Sequence, residues 1–354
     1  MFHNVLSKAY LASTLCASAL LVTPTFAQAT DLRAAVDTLT QSRSVERSIR
    51  QEGATSLDPG AAARSDPRVI GGGLNLDVAS SNFVASMRIE PGNGAPRGGL
   101  CAGSFIKPRI GTRNSGDVVQ GWDAGNDEPD WVITAAHCLR DKNNKDTKTN
   151  TTGPEQLTLI AGTFDVAAIN RHIVTIGQVI VHPDYDPNTM AHDIALLKIE
   201  GIKAPDEQSD FIPRSIQLPA RHMMPIVNRD LSRQRVTGWG RTSEGGRVSE
   251  NLMVADVPLY PRAACQEAYS QVGGSVAPSQ FCAGYSTGAV DACSGDSGGP
   301  IFFDDRTNPV ATSDAPILSG VVSWGFGCAR AGAPGVYTSV SKEMTWIEEV
   351  VLGQ

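Results

Sequence analysis

The segment DACSGDSGGP, residues 291–300, places Ser297 among glycines in a loop that contains a cysteine. Glycine adopts backbone conformations that other residues avoid, so this loop can turn tightly and direct several N–H groups at one point. Such a set of donors is what stabilises an oxyanion beside a nucleophile. The segment therefore indicates a nucleophilic serine, and a glycine-rich turn without chemistry is the simpler alternative.

Two other segments contain the partners that a nucleophilic serine needs. The segment TAAHC, residues 134–138, contains His137, a candidate general base because the ordinary pKa of histidine lies near neutrality. The segment HDIALL, residues 192–197, contains Asp193, a candidate acceptor for the second ring nitrogen of that base. Each residue alone is more typical of a structural role, so the prediction depends on all three segments together.

The order of these residues along the chain separates two enzyme classes. The pattern G-x-S-x-G, which Ser297 fits, also occurs in α/β-hydrolases, where a histidine must follow the serine. No histidine follows Ser297 here, since the last one in the chain is His222. The order His137, Asp193, Ser297 is instead that of chymotrypsin.

From Val69 to the C-terminus the chain resembles the trypsin and chymotrypsin family of serine proteases. Besides the three segments above, the resemblance rests on the motifs RVIGG (68–72), TGWG (237–240), SWG (323–325) and PGVY (334–337). It implies two antiparallel Greek-key β-barrels of six strands each, about residues 69–205 and 206–354, with the site between them.

The local sequence patterns agree with an all-β fold. Short β-rich runs alternate with Gly, Pro, Asn and Asp, and residues 341–352 carry apolar side chains at helical spacing. We therefore expect strands throughout the domain and one C-terminal helix. Residues 107–130 and 141–154 are rich in polar residues and glycine, and are predicted to be loop insertions.

The resemblance also implies roles for individual residues. Ser297 would be the nucleophile, His137 the base and Asp193 the residue that orients the base. The N–H groups of Gly295 and Ser297 would bind the oxyanion. The predicted substrate-binding residues are Asp291, Ser323, Trp324, Gly325 and Gly335.

Asp291 is the residue that implies a substrate preference. It precedes Ser297 by six positions, which matches the floor of the family's primary pocket, and Gly325 and Gly335 match the two walls. A carboxylate shielded from water favours a cation, so we expect polypeptide substrates that are cleaved after Arg or Lys. A structural aspartate in this loop is the alternative.

An activation site precedes the domain. In the family, cleavage at the position of Arg68 frees the amine of the next residue, here Val69, which pairs with the aspartate beside the nucleophile, here Asp296. Burying one partner of an ion pair without the other is costly. The uncleaved chain is therefore expected to be an inactive precursor.

The cysteines and the N-terminus indicate export. Lys8, the apolar run 9–22 and the small residues Ala27 and Ala29 form a predicted signal peptide, residues 1–29, with a retained anchor as the alternative. Residues 30–68 are predicted to be a propeptide, with a tail without function as the alternative. The mature protein would then be secreted, either extracellular or periplasmic in a Gram-negative bacterium.

Removal of the signal peptide takes Cys16 away and leaves six of the seven cysteines. Six cysteines in an exported chain indicate disulfides, with 15 possible connectivities. The resemblance implies the pairs Cys101–Cys138, Cys265–Cys282 and Cys293–Cys328.

Composition excludes some other classes of function. The 354 residues are 41% hydrophobic, which is enough for a folded core, and the net charge of -7 does not favour binding to nucleic acid or an anionic membrane. We expect a monomer without a cofactor, whose partners are polypeptide substrates and protein protease inhibitors.

We expect no metal. Residues 161–169, where relatives often bind calcium, contain Asp165 as their single acid, and Pro334 replaces the tyrosine associated with sodium binding. Two alternatives stay open from the residues: an inactive binding protein on the same fold, and a processing protease with one target instead of a degradative protease.

Overall fold

A computed structural model describes eleven ranges of the chain, all within the compact unit Ser65–Gln354. The ranges are 71–74, 81–90, 99–112, 118–122, 127–140, 151–163, 165–167, 171–205, 213–219, 233–304 and 315–353. The predicted signal peptide 1–29, the propeptide 30–68 and the activation residues Arg68 and Val69 lie outside the described residues.

Strands make up most of the regular secondary structure in the described residues. In chain order these are β1 (Gly73–Leu74), β2 (Val84–Ile89), β3 (Gly99–Ile106), β4 (Pro108–Thr112), β5 (Val118–Trp122), β6 (Trp131–Thr134), β7 (Leu157–Ala161), β8 (His172–Val181), β9 (Ala195–Lys203), β10 (Arg233–Gly238), β11 (Met253–Tyr260), β12 (Gln280–Ala283), β13 (Pro300–Phe303), β14 (Ile317–Trp324) and β15 (Gly335–Ser339). The described part of the chain also contains two α-helices, α1 (Arg262–Ser270) and α2 (Val340–Leu352).

Six strands close the first barrel in the order β2-β3-β6-β9-β8-β7, and all of its pairings are antiparallel. Along strand β7 the side chains alternate between buried and half-buried, as expected for a strand with one face toward a core. The apolar residues inside this barrel include Met87, Phe105, Ile133 and Leu159.

The second barrel has the order β11-β10-β13-β14-β15-β12, and the pairing of β11 with β12 closes it. The short strand β1 pairs with β11 from outside this ring. Phe83 and Phe302 meet edge to face, with ring centroids 5.1 Å apart, where the two barrels pack together. The predicted all-β fold of two six-stranded barrels with a C-terminal helix is confirmed.

Helix α2 begins one residue before the predicted start and ends at Leu352. Gly353 follows with a φ of 67°, the left-handed conformation typical of glycine after a helix. Ile347 faces the core, as the spacing predicts, and Glu343 is also buried. None of the helices in the described residues is long and apolar enough to cross a bilayer.

One predicted loop insertion is partly regular. Residues 107–130 contain the antiparallel hairpin of β4 and β5, which pairs from Pro108 opposite Trp122 to Thr112 opposite Val118. The prediction of a loop was therefore incomplete, because the polar and glycine-rich composition hid the strand pairing. Within 141–154, residues 141–150 lie outside the described residues.

Three disulfides link the described cysteines, and they are the pairs that the resemblance implies: Cys101–Cys138, Cys265–Cys282 and Cys293–Cys328. Disulfides of this kind persist in oxidising compartments. Each typically contributes about 2–4 kcal/mol by restricting the unfolded chain.

Candidate active site

His137 lies in a short 3-10 turn, Ala136–Cys138, directly after strand β6. The next residue, Cys138, forms a disulfide with Cys101 on β3, which attaches the turn to the strand that neighbours β6. The side chain of His137 is 11% exposed and lines a cavity of about 210 Å³. The turn thus holds the imidazole at the edge of a solvent-accessible space.

Asp193 is completely buried and accepts three hydrogen bonds from two parts of the chain. Its Oδ1 accepts from the backbone N–H of His137 (2.8 Å), and its Oδ2 lies 2.8 Å from His137 Nδ1. The hydroxyl of Ser323, on β14 of the second barrel, also donates to Oδ2 (2.5 Å). Thr338 donates to the Asp193 carbonyl at 2.9 Å. Both barrels therefore position this carboxylate.

The electrostatics of the pair favour a charged Asp193. Burial alone would raise the pKa of Asp193, but the attraction of His137 and the hydrogen bonds from His137 and Ser323 hold the pKa below its usual value. An ionised carboxylate requires a proton on His137 Nδ1. The other ring nitrogen, Nε2, is then free to accept a proton.

The loop before β13 presents Ser297. Gly295 (φ 103°) and Gly298 (φ 82°) adopt conformations that favour glycine. A Cβ atom on Gly298 would collide with the Ala102 carbonyl and with Thr134. The Ser297 carbonyl accepts from the Ala102 N–H at 2.7 Å, which attaches the loop to β3.

Two N–H groups of this loop remain available to a ligand. Among the described residues, neither Gly295 N–H nor Ser297 N–H donates a hydrogen bond, whereas Asp296 N–H donates to Cys293 and Gly298 N–H donates to Val322. Two unused donors in one loop, one of them on the serine itself, are what the binding of an oxyanion requires.

The cavity brings together two predicted catalytic residues and all five predicted substrate-binding residues, whereas Asp193 and Gly295 do not line it. It is lined by His137, Met190, Asp291, Ala292, Cys293, Ser294, Ser297, Val322, Ser323, Trp324, Gly325, Gly327, Cys328, Gly335, Val336 and Tyr337. His137 and Ser297 are half-buried and Asp291 is 3% exposed. The acid therefore lies deeper in the protein than the serine and the histidine.

Asp291 is a buried carboxylate with spare bonding capacity. Its Oδ2 accepts from the Ala329 N–H at 3.1 Å, and its Oδ1 has no hydrogen-bond partner among the described residues. Burial raises the pKa of Asp291 to about 7, despite the backbone hydrogen bonds that act in the opposite direction. A buried acceptor without a partner is costly, so a donor that reaches Oδ1 would be bound favourably.

The cavity walls leave room beside Asp291. A Cβ atom on Gly335 would lie 2.6 Å from Asp291 Oδ1, so any side chain there would obstruct the carboxylate. At Gly325 the atom nearest to an added Cβ would be the Gly327 carbonyl oxygen at 3.4 Å, an ordinary van der Waals distance. Trp324 packs edge to face on Tyr269 at 4.7 Å between ring centroids.

Asp296, beside the serine, is held by backbone donors. Its Oδ1 accepts from Gly240 N–H (2.7 Å) and its Oδ2 from Cys293 N–H (2.9 Å). Burial raises the pKa of Asp296 to about 6. A Cβ atom on Gly238 or Gly240 would collide with this carboxylate, which explains the glycines of the TGWG motif.

The comparisons with known proteins agree with this geometry. The family model described as Trypsin matches residues 127–347. The chain belongs to the trypsin family. Trypsin-1 of Astacus astacus is 35% identical over 220 residues, which cover 62% of this chain and 82% of that protein. Trypsin 5G1 of Aedes aegypti is 31% identical over 289 residues, 82% of this chain and 87% of that protein.

A third relative is larger. Coagulation factor XII of Sus scrofa is 33% identical over 231 residues, which cover 62% of this chain and 34% of that protein. This trypsin-family chain is a serine endopeptidase, and its substrates are polypeptides.

Two groups of possible metal ligands occur in the described part of this trypsin-family protein. The first contains Cys101 and Cys138, which are bonded to each other and offer no thiolate. The second is His182, His192 and Glu343. Its imidazole rings are stacked, with centroids 4.8 Å apart and planes 17° apart, so one ion cannot lie in the plane of both rings. Neither group fits a metal.

The site also contains residues that sequence reasoning missed. The hydroxyl of Thr338 donates a hydrogen bond to the Asp193 carbonyl. Met190, Val336 and Tyr337 line the cavity. Ser323 lines the cavity, in keeping with its predicted substrate-binding role, and its hydroxyl also donates a hydrogen bond to Asp193, which sequence reasoning did not predict. No local pattern marks these residues, since the contact of Ser323 with Asp193 joins positions 130 residues apart.

Proposed function

We propose that this trypsin-family protease hydrolyses peptide bonds after Arg or Lys, with Ser297, His137 and Asp193 as its catalytic triad. The observation that carries the preference is the buried carboxylate of Asp291, whose Oδ1 is unpaired among the described residues of a cavity that Ser297 also lines.

A cationic side chain suits this cavity for two reasons. A guanidinium or ammonium group would supply the missing donor to Asp291 Oδ1, and its charge would offset the desolvation that raises the pKa of Asp291 to about 7. The glycines at 325 and 335 leave the space that a long side chain needs. An apolar side chain would leave the carboxylate buried and unpaired.

The proposed bond-making steps use these donors and acceptors. Ser297 Oγ attacks the carbonyl carbon of the substrate while its proton passes to His137 Nε2. The N–H groups of Gly295 and Ser297 bind the resulting oxyanion. The imidazolium, stabilised by the charged Asp193, then protonates the leaving amine as the peptide C–N bond breaks, which leaves the acyl group as an ester of Ser297. Water attacks this ester and gives a proton to His137, and the proton returns to Ser297 Oγ as the carboxylic acid is released. Loss of one oxyanion donor typically costs about a hundred- to a thousandfold in rate.

Activation is part of the proposal. Cleavage after Arg68 would free the Val69 amine, which would pair with Asp296. In the described structure the charge of Asp296 is offset by two backbone donors, and burial raises its pKa to about 6. A buried carboxylate in that state gains from a cation. Residues 1–29 would direct secretion and residues 30–68 would be removed on activation.

The other proposed properties follow from the same reading. The enzyme would act outside the cytoplasm, consistent with its three disulfides. It would work as a monomer, without cofactor or metal, and protein inhibitors that present Arg or Lys to the cavity would block it.

The test is a set of initial rates for the Arg68-cleaved protein on short peptide substrates that differ only in Arg, Lys, Phe or Ala before the scissile bond. We expect strong preference for Arg and Lys and no activity in Ser297→Ala. Preference for Phe or Ala would refute the role of Asp291, and activity in Ser297→Ala would refute the triad. An active Arg68→Gln protein would refute the activation step.

A further inference from the structure

A cluster of three side chains adjoins Asp193 without a part in the proposed mechanism. Glu343 of α2 is 2% exposed, although it lies on a surface helix. Its Oε1 and Oε2 each lie 3.1 Å from His192 Nδ1, and Oε2 lies 3.3 Å from His182 Nε2. A carboxylate is rarely buried without specific partners, so the two imidazoles account for its position.

His182 is the fixed member of the cluster. Its Nδ1 accepts from the Asp184 N–H at 3.1 Å, so the ring proton is on Nε2, toward Glu343. Burial and the neighbouring His192 lower the pKa of His182 to about 4, so the ring is neutral near pH 7. Trp346 covers it at 4.6 Å between ring centroids. His192, with its side chain 38% exposed, is the member that is not enclosed.

The backbone of His192 is strained. Its φ is 52°, in the left-handed region, which residues other than glycine adopt uncommonly. Three contacts hold it there: its N–H donates to Ser279 Oγ (3.0 Å), its carbonyl accepts from Ile194 N–H (2.8 Å), and its ring contacts Glu343.

The hydrogen bond from the Ile194 N–H to the His192 carbonyl spans one residue, Asp193. Asp193 is thus the centre of a three-residue turn that begins at His192. A change in the backbone conformation of His192 would therefore turn the Asp193 side chain. That carboxylate must meet both the Nδ1 and the backbone N–H of His137 at 2.8 Å.

We infer that His192 is a positioning residue for the reaction: its contact with Glu343 holds the left-handed backbone that aims Asp193 at His137. The inference rests on the proposed roles of Asp193 and His137. His192 acts through its neighbour in the chain and not through a contact with the substrate.

The test compares His192→Val with His192→Asn. Valine is branched at Cβ and disfavours the left-handed region, whereas asparagine adopts it more readily than most residues. We expect kcat per titrated active site to fall about tenfold or more in His192→Val, since a small misplacement of a catalytic group is costly, with KM for the Arg substrate within about twofold. His192→Asn should recover most of the loss.

A second readout separates positioning from general loss of folded protein. The His137 Nδ1 proton, hydrogen-bonded to Asp193, gives a far-downfield NMR signal that is measured in the Ser297→Ala background to prevent self-digestion. We expect the signal to shift or broaden in His192→Val and to persist in His192→Asn. A merely structural role would lower its intensity in proportion to the folded fraction and leave its position unchanged.

A paired comparison on α2 keeps the inference testable if His192→Val does not fold. Glu343→Gln removes the charge beside His192, and Glu349→Gln removes an exposed charge on the same helix. We expect a lower kcat in Glu343→Gln alone.

Equal kcat in the two α2 variants, or equal loss in His192→Val and His192→Asn, would overturn the inference. If the wild-type protein has no Ser297-dependent activity, the proposed function fails, and the NMR signal still decides whether His192 positions Asp193.

Discussion

Asp291→Asn removes one charge from the cavity and leaves its volume almost unchanged. The amide oxygen of asparagine can still accept the hydrogen bond that the Ala329 N–H donates to Asp291 Oδ2 at 3.1 Å. The atom that matters is Oδ1, which is buried and unpaired among the described residues. In the variant, an arginine side chain would meet a neutral group instead of a carboxylate.

The size of the effect follows from the burial of Asp291, which is 3% exposed. Truncating one partner of a buried, hydrogen-bonded charge pair costs about 2–5 kcal/mol. At about 1.36 kcal/mol for each factor of ten, kcat/KM for an Arg substrate should fall by about 30- to 5000-fold. For a Phe substrate it should rise or stay constant, because the variant no longer leaves a charge buried beside an apolar side chain.

The assay is kcat/KM on paired Arg and Phe peptides, normalised to titrated active sites. Glu250→Gln, which removes an exposed carboxylate, is the matched control and should leave the Arg-to-Phe ratio unchanged. An Asp291→Asn enzyme whose Arg-to-Phe ratio stays within about threefold of wild type would refute the argument, because a 2 kcal/mol loss already corresponds to about 30-fold.

Three further outcomes follow from the same site. Because burial raises the pKa of Asp291 to about 7 and only the charged form attracts a cation, binding of an aromatic amidine such as benzamidine should weaken by up to about tenfold per pH unit below pH 7 and stay constant above pH 8; a Ki that does not change between pH 5.5 and 8 would contradict this. Gly335→Val should place side-chain atoms against Asp291 and abolish cleavage after Arg while an ester of a small residue is still hydrolysed, which paired rate measurements would check. Ser323→Ala removes the 2.5 Å hydrogen bond to Asp193, and since bonds to charged groups contribute about 1.5–3 kcal/mol, kcat should fall about tenfold or more; full kcat in the variant would show that the bond is dispensable.

Much of the fold could be predicted from sequence because its signals are local. The glycines around Ser297, the apolar runs of the strands and the helical spacing of α2 each reflect geometry over a few residues. Helix α2 accordingly differs from its prediction by one residue at the start. The hairpin of β4 and β5 was missed because its pairing is not visible in the composition of residues 107–130.

The sequence by itself determined which chemical groups are present, in what order, and in loops able to turn. Only the tertiary structure decided what surrounds them. Ser323 reaches Asp193 from the second barrel, and Glu343 reaches His192 from a position 151 residues later. The physical reason is that burial, charge and hydrogen-bond partners belong to the space around a residue, which barrel closure fills with distant parts of the chain. The raised pKa of Asp291, the stacking of His182 on His192 and the strained backbone beside Asp193 all depend on that packing.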